Sequence, residues 1–296
     1  MIHEKRFECV RFTNVDKLLW PEDGYTKYDL IHYYLQAAPY LLPHLCNRPL
    51  VVTRYPEGIS GDGFYQKNLP QGAPSWLGRV EIEHECGKKT CYLVPQKEED
   101  LAWLGNQACL ELHPWLSSAG SLNSPDFIVF DLDPMQCSTF DQVRETALVT
   151  REILAELGFK CWPKTSGATG IQVYLPVESG VTYKEGRDFA YHVSLLVHRK
   201  LPGLTTLKRK VKDRDGKIYL DYLQNVRGKT LVSPYSPRPL PGAPVSAPLT
   251  WKEVEQGGFL PGDFHIKNIF YRLQSRGELF SQVVSSKQTL HTLIRS

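Results

Sequence analysis

Asp126-Phe-Ile-Val-Phe-Asp-Leu-Asp-Pro134 is the stretch on which the reading of this chain turns. Phe127 to Phe130 are apolar, aromatic or β-branched and lie between Pro125 and Pro134, which predicts a buried strand. Side chains alternate faces along a strand, so Asp131 and Asp133 should project together from its end. Two carboxylates side by side repel unless positive charge sits between them. Hard divalent cations such as Mg²⁺ or Mn²⁺ fill that role, because they take carboxylate oxygen.

An Asp-x-Asp pair alone is a weak signal, arising by chance roughly once in a chain of this composition. The sequence holds its own control in Asp213 and Asp215. That pair sits among Lys212, Arg214 and Gly216, which reads as a solvated turn. The pair closing an apolar strand is the functional candidate.

The chain has 296 residues, is 42% hydrophobic and carries a net charge of +3. That is enough to bury a substantial core, and too little net charge to name a partner. No apolar run approaches the ~18 residues of a membrane span, and the first residues do not form a signal peptide. A soluble cytoplasmic, nucleoid-associated protein is expected. Seven scattered cysteines suit reduced thiols better than a disulfide framework. Cys86 and Cys91, with His84 nearby, lack a second ligand pair at zinc spacing, so a hairpin is the simpler reading. Leu207 to Lys217 carries six basic and two acidic residues. It is either a solvated loop or an arm that touches phosphates.

In chain order, Thr26 and Asp29 form a capping-box signature that opens a helix expected to stop before Pro39. Arg48 to Tyr55 reads as a strand. Phe64-Tyr-Gln-Lys-Asn68 places aromatics beside charge, suited either to stacking unpaired bases or to core packing. A hairpin is expected around Gly87 and a helix from Glu99 to Leu110, ended by Glu111-Leu-His-Pro-Trp115. Thr139 with Gln142, and Thr182 with Glu185, open two further helices. Between them, Lys164-Thr-Ser-Gly-Ala-Thr-Gly170 is a glycine-rich donor loop preceding a strand, Ile171 to Leu175. It lacks Walker spacing, and reads as a phosphate cradle or a plain turn. Gln172 and Tyr174 share one face of that strand, which would set the Gln172 amide near bound phosphates. Lys217 to Leu223 is a further strand, with Asp221 opposite its apolar face. Pro237 to Pro248 reads as a linker-like wrap, and a helix is expected near Ile266 to Arg276.

Three carboxylates, a donor loop, a His and a late Arg suit metal-assisted nucleotidyl transfer. The chain resembles the primase-type polymerase domain of bacterial ligase D, within the archaeo-eukaryotic primase superfamily. The likeness runs from about Asn14 to the C-terminal helix. It rests on Asn14/Lys17…Thr26-Lys27, Arg48-Pro-Leu, Phe64-Tyr-Gln-Lys-Asn68, Leu112-His-Pro-Trp115, Phe130-Asp-Leu-Asp-Pro134, Lys164-Thr-Ser-Gly167, Asp221-Tyr-Leu-Gln-Asn225 and Pro234-Tyr-Ser236.

The resemblance implies Asp131, Asp133 and Asp221 as catalytic ligands of a two-metal Mn²⁺ or Mg²⁺ site. It implies Lys164, Ser166 and Arg238 around an incoming NTP or dNTP, with His113 near its sugar and phosphates. It also implies that Asn14, Lys17 and Lys27 hold the 5′-phosphate of gapped DNA, and that Phe64 stacks on template bases. One departure stands out: the related pattern Gly-x-x-Gly-Leu-His carries a His where this chain has Gln172. A neutral amide still donates a hydrogen bond but carries no charge.

The expected fold is α+β, with two packed antiparallel-rich sheets flanked by helices. One primase-polymerase domain, residues 1–296, would comprise an end-binding portion (about 1–120) and a catalytic core (about 121–296). The implied function is gap filling and end extension in bacterial non-homologous end joining, with ribonucleotides preferred. The chain would act as a monomer with Ku and a DNA ligase, fused or separate, and without a membrane. A metal-dependent nuclease and a catalytically silent end-binding module are the alternatives.

Overall fold

The computed structural model describes residues 9–84 and 86–290. Strands β1 (Leu18–Trp20) and β2 (Tyr25–Thr26) lead into α1 (Lys27–Leu45). Next come β3 (Leu50–Arg54), β4 (Phe64–Gln66), β5 (Arg79–Glu83), β6 (Lys89–Leu93), α2 (Glu98–Asn106) and β7 (Cys109–Pro114). The second half contains β8 (Phe127–Asp133), α3 (Phe140–Glu156), β9 (Trp162–Thr165), β10 (Ile171–Pro176) and α4 (Tyr183–Lys200). It closes with β11 (Thr205–Thr206), β12 (Ile218–Leu220), α5 (Trp251–Gln256), α6 (Ile269–Arg276) and α7 (Ser281–Ser285).

Two five-stranded sheets result: β4-β3-β6-β5 with β7 also paired to β3, and β11-β12-β8-β10-β9. Within them, pairing is antiparallel among the described residues except between β11 and β12. The expected α+β arrangement of antiparallel-rich sheets flanked by helices is therefore the observed one.

The central strand β8 explains where the site lies. Ile128, Phe130 and Leu132 point to one face, where they pack with Ile171, Val173 and Leu175 of β10 against α3 and α4. Phe127 and Val129 point to the other face, covered by Tyr174, Leu231, Phe280 and Val283. Asp131 and Asp133 continue that second face beyond its apolar cover, so the pleat that buries Val129 also delivers the carboxylates. Capping boxes at Thr139/Gln142 and Thr182/Glu185 fix the starts of α3 and α4, as expected.

Four expectations need correction. Helix α1 does not stop before Pro39; it runs through Pro39 and Pro43 to Leu45. Each proline removes a helical donor, at ~3 kcal/mol or more in an interior position. Burial of Ala37, Ala38, Leu41 and Leu45 in the core around α2 offsets that loss. The helix expected to reach Leu110 ends at Asn106, and residues 109–114 form a strand. Ala108 adopts a positive φ of 52°, breaking the helix, and β3 offers Cys109–Pro114 a pairing edge.

The strand expected to reach Leu223 stops at Leu220, because the chain turns into a short 3₁₀ segment capped by Asp221. Beyond that point Asn225 acts as a surrogate strand. Its Oδ1 accepts from Val129 N and its Nδ2 donates to Val129 O, both at 2.8 Å. Finally, Pro237 to Pro248 is no linker but a joint between the sheets, buried from Ala243 to Pro248. Just before it, Ser233 N bonds Leu112 O on β7, and within it Ala247 O accepts from Thr165 N on β9. Val245, Ser246 and Ala247 are fully buried, small enough to pass between the layers.

Replacing Asn225 by Ala should therefore expose two unpaired backbone groups on β8 inside the core. A loss of about 2–6 kcal/mol is expected, at about 1–3 kcal/mol for each of the two unsatisfied buried groups. Urea denaturation would measure it; a loss near zero would show that water or neighbouring chain replaces the amide.

Candidate active site

An open cleft of about 240 Å³ lies where β8, β10 and the Ser166–Gly170 loop meet β7 and the 230–238 segment. His113, Asp131, Asp133, Ser166, Gln172 and Arg238 all line it. Six of the residues expected at the site, far apart in sequence, are thus brought together. It gathers the carboxylates at the end of β8 with a guanidinium, a hydroxyl and an imidazole.

Asp131 is deeply placed. Burial raises its pKa to about 7, as do the charges of Asp221 and Asp133, against a hydrogen bond from Gln172 and the charge of Lys164. Asp221 does not line the cleft. It shares with Asp131 a small recess behind β8, and its backbone N–H bonds Asp131 O at 3.0 Å. Burial raises its pKa as well, although the hydrogen bond from Leu223 N and the charge of Lys229 oppose this. Asp133 is half-exposed and ion-paired with Arg214, whose Nη1 lies 2.8 Å from Oδ2.

The donor chemistry of these three carboxylates fits a hard divalent cation: they offer oxygen only, and burial together with neighbouring carboxylates raises the pKa of Asp131 and Asp221. The expected cage is not preassembled, however. Among the described residues, no group of three or more His, Cys, Asp or Glu side chains is arranged to hold a metal as it stands. Each carboxylate is already engaged: Asp131 by Gln172, Asp133 by Arg214 and Asp221 by Leu223 N.

Arg214 was hidden from sequence reasoning. It sits between Asp213 and Asp215, the exposed control pair, in a segment that reads as solvated loop. Its side chain is instead buried, with Cζ 4.2 Å from the centre of the Tyr219 ring and Nη2 on Arg209 O. No local pattern marks one arginine of a basic run for burial.

The loop from Lys164 to Gly170 is not built as expected. Lys164 and Thr165 belong to β9, are fully buried and do not line the cleft. Lys164 therefore cannot touch a bound triphosphate from this position. Ser166 Oγ accepts from Ala168 N and Gly170 N, tying the loop to itself and leaving its own hydroxyl hydrogen to donate outward. The positive charge is supplied by Arg238, whose Nη1 donates to Ser166 O at 2.6 Å. Glycine at 167 has φ +73°, and a Cβ there would lie 2.8 Å from Arg238 Cγ and from Ser246 N. The close approach needs glycine. Gln172 lines the cleft but is only 3% exposed, and both ends of its amide are engaged within the protein. The expectation that this amide faces a phosphate is not met.

Glu111, also missed, organises Arg238 and His113. Arg238 Nε lies 2.7 Å from Oε1 as an ion pair without hydrogen-bond alignment, and His113 Nε2 lies 3.4 Å from Oε2. Burial alone would raise the pKa of Glu111; the hydrogen bond of His113 and the charge of Arg238 instead hold it at about 2. The sequence signal was the Glu-x-His alternation on a strand, obscured by the helical reading of that stretch.

The remaining expected residues lie on the other sheet's side. Lys17 N bonds Asn14 O, Lys27 N bonds Lys17 O, and Lys27 Nζ donates to Thr13 O at 2.7 Å. Asn14, Lys17 and Lys27 therefore form one cluster. Burial lowers the Lys27 pKa, as do the charges of Lys17 and Arg54. Lys17 is paired with Glu57 at 2.7 Å. Phe64 is 45% exposed, with Arg54 Cζ 5.3 Å from its ring centre. No helix among the described residues is long and apolar enough to cross a membrane.

Comparison with known proteins gives a consistent result. The sequence model of the LigD primase-polymerase domain matches residues 26–280. The multifunctional non-homologous end joining protein LigD of Mycolicibacterium smegmatis is 35% identical over 281 residues, covering 94% of this chain and 36% of that protein. The bifunctional LigD of Bacillus subtilis is 36% identical over 270 residues, covering 90% of this chain and 43% of that protein. The chain thus spans less than half the length of either relative. The solved polymerase domain from Mycobacterium tuberculosis ligase D, in complex with DNA, superposes with a TM-score of 0.86 at 31% identity. It covers 94% of this chain and 99% of that one.

Removing the charge of Glu111 while keeping its shape should loosen both Arg238 and His113. Glu111→Gln is expected to weaken binding of a nucleoside triphosphate on the order of tenfold, equivalent to about 1.4 kcal/mol. Calorimetric titration checks this; unchanged affinity would show that the two cations hold their places without the carboxylate.

Proposed function

The chain belongs to the LigD primase-polymerase domain family, and on that premise we propose that it is a template-directed nucleotidyltransferase. It would fill gaps and extend broken DNA ends in bacterial non-homologous end joining, with ribonucleotides preferred. The observation that carries this reading is that one cleft gathers the carboxylates of Asp131 and Asp133 with Arg238, Ser166 and His113. A nucleoside triphosphate presents to such a cleft an anionic tail that needs donors and a reacting phosphorus that needs charge neutralisation.

Arg238 and the Ser166 hydroxyl would bind the triphosphate, and His113 would orient the sugar and the adjoining phosphates. Glu111 keeps Arg238 and His113 aimed. Asp131, Asp133 and Asp221 would hold two divalent cations, Mn²⁺ or Mg²⁺, which when bound supply activation of the attacking hydroxyl and neutralisation of phosphate charge. Asp133 is engaged through Oδ2 and Asp221 accepts from Leu223 N through Oδ1, so each keeps an oxygen to offer a cation. The exposed Phe64 would stack on a template base. Asn14, Lys17 and Lys27, at the start of α1, would receive a 5′-phosphate, an anion that a helix N-terminus favours. Ku and a separate or fused ligase are the proposed partners, since the family's LigD relatives extend well beyond the matched region.

Primer extension with Mn²⁺, scored with NTPs against dNTPs, tests the reading. Asp131→Ala, Asp133→Ala and Asp221→Ala should each lose detectable nucleotide addition while DNA binding persists, because phosphate contacts come from basic residues elsewhere. Asp213→Ala and Asp215→Ala should remain active. Cleavage of DNA without nucleotide would favour a nuclease, and DNA binding with neither activity a silent end-binding module.

A 5′-phosphate on the downstream strand should also tighten binding to gapped DNA, and Lys17→Ala or Lys27→Ala should erase that preference. Equal affinity of the wild type for phosphorylated and hydroxyl ends would refute this assignment.

A further inference from the structure

We propose that Lys164 is a positioning residue that acts through Gln172 to fix the orientation of Asp131, and is not a ligand of the incoming nucleotide. The proposal rests on the reading of Asp131 as a metal ligand.

The three side chains form one buried line. Lys164 Nζ lies 2.6 Å from Gln172 Oε1, and Gln172 Nε2 lies 3.0 Å from Asp131 Oδ1. Lys164 is wholly buried and Gln172 is 3% exposed, so water does not compete for the bond between them, while Asp131 meets the cleft. On the far side, Lys164 Nζ lies 2.6 Å from Ser246 Oγ, which itself donates to Thr165 O at 2.7 Å. The one hydroxyl hydrogen of Ser246 is thereby spent, and its oxygen must accept from the lysine. The ring of Tyr174, with its centre 5.6 Å from Nζ, closes another side of the amine.

This arrangement decides which way the Gln172 amide points. An ammonium has three donors and no lone pair, so it can face only the carbonyl end. The NH₂ end is then turned to Asp131, where an ionised carboxylate has acceptors only. One oxygen, Oδ1, is held by that bond, which leaves Oδ2 for the cleft. Burial pulls the Lys164 pKa well down and the charge of Asp131 raises it, so the ammonium depends on the carboxylate that it reaches through the amide.

The same logic accounts for the amide at position 172, where the related pattern carries a His. A neutral imidazole has one donor and one acceptor nitrogen on opposite sides, as the glutamine amide has. Either side chain can accept from Lys164 and donate to Asp131. What the position requires is that two-sided character, which neither charge nor an apolar group of equal size provides.

Mn²⁺ alone, titrated into metal-free protein and followed by loss of the free-ion EPR signal, tests the proposal. Lys164→Met and Gln172→Met should each weaken binding on the order of tenfold, the usual effect of removing a partner that orients a metal ligand. The double variant should be no weaker than Gln172→Met alone, because the lysine acts through the amide. Gln172→His should stay close to the wild type, and Asp131→Ala should lose the site. Wild-type affinity in both Met variants, or multiplied losses in the double variant, would overturn the proposal while leaving the metal reading intact. A wild type that binds no Mn²⁺ would overturn both. If Lys164→Met does not fold, the Gln172 side-chain amide in ¹⁵N-labelled wild-type protein decides. Its two protons, assigned by their loss in Gln172→His, should be widely separated and protected from exchange; values like those of an exposed glutamine would refute the relay.

Discussion

A carboxylate buried at the end of an apolar strand cannot stay ionised without help, and much of the architecture around β8 answers that demand. Desolvation alone favours the protonated form, and two further carboxylates nearby add to the cost. The chain replies with donors and cations drawn from three places: Gln172 backed by Lys164, Arg214, and the Leu223 amide. Each comes from a different part of the sequence. Each carboxylate is thus met by a donor or a cation that the fold brings from elsewhere in the chain.

Around Arg238 the same rule holds with the signs exchanged. Glu111 lies 2.7 Å from the Arg238 guanidinium and 3.4 Å from the His113 imidazole. A cleft that gathers carboxylates and a guanidinium, each with its own partner, is preorganised for a polar ligand. The cleft depends on the joint that runs from Ser233 to Leu249. It bonds β7 on one side and β9 on the other, and it delivers Arg238 and Ser246. Its prolines remove amide donors that a buried segment would otherwise have to satisfy, while its small residues let it pass between the layers.

The local rules held wherever the deciding interaction was itself local. The alternation of Phe127 to Asp133 placed two carboxylates on one face of a strand, and three Thr-x-x-acid or amide boxes set helix starts. The dense motifs around Asp131, Ser166 and Asp221 carried the family. The exposed aspartates Asp213 and Asp215 were legible for the same reason, although Arg214 between them was not.

What only the tertiary structure decided was the partner of each buried group. Pro39 and Pro43 stay helical because core packing outweighs a local penalty. Cys109 to Pro114 is a strand because β3 offers an open edge. Lys164, Gln172, Arg214 and Glu111 took roles different from those their neighbours in sequence suggest, because a buried charge is governed by whichever opposite charge or donor the fold brings within reach. The sequence by itself determined the strand, its aspartates and the class of chemistry. Which side chains balance those aspartates depends on contacts between residues tens of positions apart, and these exist only once the two sheets are joined.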